Sequence, residues 1–273
     1  MVKMITHKKN FIIAEVGINH NGNFSEAIKL IDAAKKSGAN AVKFQTYTTE
    51  KRVSSNSPIF DILKKCELQY EDFYKLKNYC DKKKIIFFST PFDKEAVHFL
   101  NKINVKIFKV SSFDISNYEI INEIIKTKKE IILSTGMASL HEIFKVHKKL
   151  TNKKINHALL HCVSKYPNED KSCYLENIRY LQSVLKCPVG YSDHTNDIKT
   201  ALIANILGAK IIEKHFKLGE NHKCVDAKVS ITPSQFGNLV ENINNYKDIL
   251  GKVKFGIRPE EQHTRVFKRI KTK

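Results

Sequence analysis

The stretch "FIIAEVGI" at residues 11–18 decides how the rest of the chain is read. It is a nearly continuous apolar run, as expected of a strand buried on both faces rather than one. A single residue breaks it, Glu15, and a carboxylate in that setting needs a partner or a ligand. A helix follows from about Ser25 to Ser37, with Phe24, Ala27, Ile28, Ile31 and Ala34 on one face and Gly38 as its stop.

The same strand-then-helix pattern recurs along the chain. The runs "AVKFQTY" (41–47), "IIFFSTPF" (85–92), "VKIFKVSS" (105–112) and "EIILSTGM" (130–137) read as strands. So do "NHALLHCVS" (156–164), "CPVGYSDHT" (187–195) and "AKIIEKHFKL" (209–218). A longer polar excursion separates the second run from its helix, "YEDFYKLKNYCDKKK", and Asp93 is placed to cap the helix after the third. Leu175, Ile178, Leu181 and Leu185 share one helical face, and the last helix, Ser234 to Leu250, spaces Phe236, Leu239, Val240, Ile243, Tyr246 and Leu250 likewise. Eight such units predict a (β/α)8 TIM barrel over residues 1–250 rather than an open doubly wound sheet. The tail at 251–273 loses the periodicity and reads as an extended or loosely docked terminus.

Composition narrows the function classes. No apolar run approaches the roughly 20 residues that span a bilayer. The start, "MVKMITHKKN", has neither an apolar core nor a small-residue cleavage site, so the expectation is a cytoplasmic protein without a membrane partner. The six cysteines form no C-x-x-C pair, which argues for reduced thiols and against zinc ribbons or dithiol redox sites. The net charge of +19 comes from lysines spread over every predicted helix and not gathered on one face, so nucleic acid is not the expected partner. A positive field still helps to gather a phosphorylated substrate.

In a TIM barrel the active site lies at the C-terminal strand ends. Here those ends are polar: Glu15; Lys43 and Gln45, two apart and so on one face; Ser89 and Thr90; Lys109 followed by Ser111, Ser112 and Asp114; "STG"; "HCVSKYP"; "SDHT"; "EKHF". Any one of them alone reads as structural, since a lone buried Lys or His is usually satisfied and a strand-end Ser or Thr usually caps a helix. All eight strands doing it together calls for a ligand. Lysines and hydroxyls converging on one mouth suit a phosphate plus a carboxylate. His194 and His215, on neighbouring strands at similar depth, suit a divalent metal with open positions. The adjacent Ser192, Asp193 and His194 invite a hydrolase reading, but no G-x-S-x-G elbow is present and alternation sets Asp193 opposite the other two. Nucleotide loops of the G-x-G-x-x-G or G-x-x-x-x-G-K-[ST] type are also absent.

The blocks "AEVGINHNG", "VKFQT", "FFSTPFD", "FKVSSFD", "ILSTGM", "LLHCVSKYP", "GYSDHT" and "EKHF" resemble, in order, those of the sialic acid synthase family. That family comprises the N-acetylneuraminate, legionaminate and pseudaminate synthases. The resemblance implies a transferase that condenses phosphoenolpyruvate with an N-acetylated hexosamine, ManNAc-like or a 2,4-diacetamido sugar, to a nonulosonic acid and phosphate. It implies His194 and His215 as ligands of Mn²⁺, or of Mg²⁺ or Co²⁺. Lys43, Thr90, Lys109, Ser112, Ser164 and Ser192 would bind phosphoenolpyruvate, while Glu15, Gln45, Asp114, Tyr166 and Asp226 would face the sugar or the attacking water. Glu15, Lys43, Lys109 and Asp114 are the expected catalytic group.

Three departures stand out. "SSFD" replaces the Gly-Ser-Gly-Glu that often follows the strand-four lysine, and is closer to the pseudaminate-type Ser-Phe-Glu with a shorter acid. Ser164 stands where neuraminate synthases often have Asn. The chain stops where the linker to the family's C-terminal antifreeze-like domain would begin, so that domain is expected on a separate polypeptide, removed, or dispensed with. The resemblance also implies a homodimer. A catalytically inactive barrel serving as an assembly or regulatory partner is the alternative; aldolases making shorter sugar acids match the motifs less well.

Overall fold

The computed structural model describes residues 10–269; the expectation for the leader "MVKMITHKK" and the last four residues of the tail lie outside the described residues. Among the described residues eight parallel strands close a barrel in sequence order: β1 (Phe11–Gly17), β2 (Ala41–Thr46), β3 (Ile86–Pro91), β4 (Ile107–Val110), β5 (Glu130–Ser134), β6 (His157–His161), β7 (Val189–Asp193) and β8 (Ile211–His215). β8 pairs back onto β1 and completes the ring. The helices lie outside it, and the last, Pro233–Leu250, follows β8. The expected TIM barrel is the observed fold.

Each strand is shorter than the apolar run that announced it. β6, for example, ends at His161 and not at Ser164. The residues beyond a strand end turn into the mouth loops, where pairing stops and polar side chains take over. In the excursion after β2, two short helices form, Thr49–Arg52 and Phe60–Cys66. Asp93 caps the helix Lys94–Lys102 as expected, accepting from Ala96 N at 2.6 Å. The tail from 251 is exposed, with a 3₁₀ stretch at Pro259–Phe267.

Strand alternation divides the core in two. Outward residues such as Ile12, Ala14, Val42, Phe87 and Leu159 pack under the helices. Inward residues Phe11, Ile13, Ala41, Phe88, Ile107, Ile132, Ala158, Leu160 and Ile211 fill the barrel. On those same inward faces, the next positions along the strands are Glu15, Lys43, Thr90, Lys109, Ser134, Ser192 and Glu213. The barrel is therefore apolar at one end and charged at the other. Among the described residues no helix is long and apolar enough to cross a membrane.

Candidate active site

Register brings the inward polar residues together. Glu15 is paired in register with Lys43 on one side and His215 on the other, and Ser192 with Glu213. Lys43 Nζ lies 2.8 Å from Glu15 Oε1 and 3.6 Å from Glu213 Oε1. Lys109 Nζ lies 3.7 Å from Glu213 Oε1. Ser192 Oγ donates to the same Glu213 oxygen at 3.0 Å. Glu213 is thus the hub of the floor. In the sequence it is only the first residue of the polar strand end "EKHF", and the structure gives it this place.

Burial sets the electrostatics. Desolvation lifts the Glu15 carboxyl to about 7, despite Lys43 beside it, because one ammonium is shared between two carboxylates. Burial also opposes charge on Glu213, but Lys109 and Lys43 outweigh it and hold that carboxylate below its ordinary range. For Lys43, burial is offset by Glu15 and Glu213 and the ammonium stays above its usual value; for Lys109, burial prevails and lowers it. The second oxygens, Glu15 Oε2 and Glu213 Oε2, are buried without a hydrogen-bond partner.

A second corner is built by β4, β5 and the turns after them. Lys109 Nζ donates to Ser134 Oγ at 2.5 Å, and Gly136 N donates to Ser112 Oγ at 3.0 Å. A Cβ on Gly136 would come within 2.9 Å of Ser112 Oγ and 2.4 Å of Ser164 Oγ, so only glycine lets the backbone approach these hydroxyls. An ammonium, hydroxyls and a backbone N–H in one corner suit an oxyanion.

The two histidines stand on the opposite side. His194 Nδ1 donates to the Val163 carbonyl at 2.7 Å, which leaves its Nε2 lone pair facing the cavity. The His215 ring is 5.6 Å from that of His194, centroid to centroid. His215 Nδ1 is buried without a hydrogen bond, 3.4 Å from Asp226 Oδ2. Burial keeps both imidazoles neutral at physiological pH, with His194 lowered to about 4. Neutral imidazoles, an orphaned ring nitrogen and nearby carboxylates fit a divalent cation. Tyr166 stacks on His194 with ring centroids 4.1 Å apart, and its hydroxyl is 3.0 Å from His194 Nε2.

Gln45, Arg52, Phe92 and Asp226 line a cavity of about 380 Å³ that also takes in Glu15, Lys43, Thr90, Lys109, Ser112, Ser134, Tyr166, Ser192, His194, Glu213 and His215. Burial lifts Asp226 to about 6. The Arg52 guanidinium lies 3.7 Å over the Phe92 ring and 4.7 Å from that of Tyr47, and donates to Gln45 Oε1 at 2.9 Å. Sequence reasoning missed Arg52 because it arrives on a one-turn helix in the polar excursion, where no periodicity points inward. It also passed over Ser134, whose "STG" was noted only as a strand end.

Two expected site residues stand apart from that cavity. Asp114 sits on a 3₁₀ turn, where it accepts from Ser111 Oγ at 2.6 Å and Asn117 Nδ2 at 3.2 Å. Ser164 lines a neighbouring cleft with Met137, Tyr174 and Tyr180, although its buried Oγ, without a partner, lies beside the Gly136 turn. Asp193 faces outward, as alternation requires: it pairs with Lys214 at 3.1 Å and accepts from Thr200 Oγ1 and Thr195 N, both at 2.9 Å. No hydrolase triad forms.

The chain is similar to several known proteins. It is 36% identical to an N,N'-diacetyllegionaminic acid synthase of Campylobacter jejuni over 96% of this chain and 84% of that one. It is 32% identical to a pseudaminic acid synthase of the same species over 97% and 81%. A crystal structure of an N-acetylneuraminic acid synthetase from Leptospira borgpetersenii superposes with a TM-score of 0.88 at 36% identity, covering 95% of this chain and 91% of that one. The model of the NeuB family matches residues 30–255. The floor of paired charges, the oxyanion corner and the facing histidines are therefore those of a family member: this chain belongs to the NeuB family.

Proposed function

We propose that the protein condenses phosphoenolpyruvate with an N-acetylated hexosamine, either ManNAc-like or a 2,4-diacetamido sugar, to give a nonulosonic acid and phosphate. The observation that carries this reading is the juxtaposition, in one cavity, of the Lys109–Ser134–Ser112 corner with the Glu15–Lys43 pair and the two neutral histidines. Carbon 3 of phosphoenolpyruvate bonds to the sugar's aldehyde carbon, water adds at carbon 2, and the C–O bond to phosphate breaks.

This chain's residues divide the work. Lys109, Ser134, Ser112 and Gly136 N hold the phosphate and offset its charge as it leaves. Lys43, Thr90 and Ser192 hold the carboxylate end. Glu15, lifted to about 7, is a carboxyl that can release or take up a proton near neutrality, which suits it to the entering water. Gln45, Arg52, Tyr166 and Asp226 line the same cavity and position the sugar. His194 and His215 would hold Mn²⁺, or Mg²⁺ or Co²⁺, which when bound supplies Lewis-acid polarisation of the aldehyde. By the family resemblance the proposal extends to a cytoplasmic homodimer, with Ser164 as a phosphoenolpyruvate contact and Asp114 as a catalytic acid.

The test is phosphate release with phosphoenolpyruvate, Mn²⁺ and a panel of N-acetylhexosamines, including 2,4-diacetamido and 6-phosphorylated sugars, with mass spectrometry of the products. Absence of release with every sugar would favour the inactive barrel. Buried charges converging on one cavity speak against that alternative, since perturbed groups of this kind cluster at functional sites.

A further inference from the structure

We propose that His147, His157 and Cys187 form a second metal site, for Zn²⁺, at the end of the barrel opposite the active site. One ligand atom from each lies within 4.8 Å of the other two. The site follows from strand register. Leu159 of β6 pairs with Val189 of β7, and Leu159 N donates to the Pro188 carbonyl at 3.1 Å. His157 and Cys187 each lie two residues before a paired position, so register sets them side by side at the N-terminal strand ends. His157 shares the outward face of Leu159, and there it meets His147 on the helix Leu140–Asn152.

The hydrogen bonds have the pattern of a prepared site. His157 Nδ1 donates to the Ile155 carbonyl at 2.8 Å, which aims its Nε2 lone pair away from the backbone. That Nε2 lies 2.9 Å from His147 Nδ1, with ring centroids 5.0 Å apart. A backbone carbonyl fixing the tautomer of an imidazole is the usual support behind a metal-bound histidine. Zn–N and Zn–S bonds of about 2.0–2.3 Å put tetrahedral ligand atoms roughly 3.4–3.7 Å apart, within reach of small side-chain rotations here. The thiol, with burial pushing it up to about 11, is protonated without a metal. On binding, the Cys187 proton goes to solvent and the His147 ring proton moves from Nδ1 to Nε2, so one proton is released per ion. Two nitrogens and one thiolate select a borderline-soft ion over Mn²⁺. The ion would tie the helix before β6 to the starts of β6 and β7.

The full chain, stripped of metal and then given Zn²⁺ or Co²⁺, tests this. We expect wild type to bind one equivalent more Zn²⁺ than Cys187→Ser or His147→Gln. Co²⁺ should give a thiolate charge-transfer absorption that His194→Ala retains and Cys187→Ser loses. In wild type, Zn²⁺ should protect Cys187 from alkylation, read by peptide mass spectrometry, a measurement that needs no variant to fold. Equal alkylation with and without Zn²⁺, no charge-transfer band, or unchanged Zn²⁺ stoichiometry in Cys187→Ser would each overturn the proposal. None of these readouts depends on synthase activity.

Discussion

Lys43 stands opposite Glu15 in the β1–β2 register and also reaches Glu213, at 2.8 Å and 3.6 Å respectively. One ammonium thus serves two buried carboxylates. Lys43→Met is expected to destabilise the fold by about 1–3 kcal/mol, because Glu15 loses its buried partner but can take up a proton, while Glu213 keeps Lys109 and Ser192. Chemical denaturation measures this, and a loss under about 1 kcal/mol would show that the pair is dispensable to the fold.

His194→Ala removes the imidazole whose Nε2 lone pair faces the cavity. Divalent-metal affinity in the active site should fall by at least about 100-fold, with phosphate release falling in parallel. Calorimetric titration with Mn²⁺ supplies the first readout. Unchanged affinity would remove His194 from the metal site.

Arg52→Ala takes away the guanidinium stacked on Phe92 and bonded to Gln45. Steady-state kinetics should show the KM for the sugar rising about tenfold, equivalent to about 1.4 kcal/mol, with the KM for phosphoenolpyruvate unchanged. A rise confined to phosphoenolpyruvate would reassign Arg52 to the other substrate.

Asp114 and Glu15 can be separated by conservative changes. Glu15→Gln should lower kcat by about 10²–10⁴-fold, the range for loss of a proton-transfer group. Asp114→Asn keeps an oxygen for Ser111, and an effect below about tenfold would mark Asp114 as a residue that positions the turn. A loss as large as that of Glu15→Gln would instead support a catalytic role for Asp114.

His20 gives the fold a pH dependence of its own. It is buried against Phe44, and Gly22 N donates to its Nδ1 at 3.1 Å. Burial lowers its pKa from 6.5 to about 4. Above pH 6.5 neither the folded nor the unfolded state is protonated there, and stability is full. Between 6.5 and about 4 the unfolded chain takes a proton that the folded chain refuses, so stability falls as pH falls, by about 3 kcal/mol in all. His20→Asn should make this part of the curve of melting temperature against pH shallower, with buried His194 and His215 supplying the slope that remains. A curve parallel to wild type would show that His20 is already solvated.

Much of this was legible before any tertiary structure. The runs "FIIAEVGI" and "EIILSTGM" read as strands because parallel strands covered on both faces need no polar alternation. Alternation also placed Ser192 and His194 on one face and Asp193 on the other, as observed. It loses its hold further beyond a strand end. Asp114 and Ser164 follow β4 and β6 on turns, and a two-residue period says nothing about where a turn points its side chains. Arg52 was invisible for the same reason, since its place depends on a one-turn helix folding over Phe92.

The sequence by itself determined the eight βα units, the polar strand ends and the pairing of His194 with His215, because hydrophobic periodicity and spacing are local properties of the chain. Only the tertiary structure decided which charge meets which. Glu213 became the hub of Lys43, Lys109 and Ser192 because closing the barrel brings β8 beside both β1 and β7, and register fixes the depth of every inward side chain. Those contacts join residues as far apart in sequence as Lys43 and Glu213, and no local pattern encodes them.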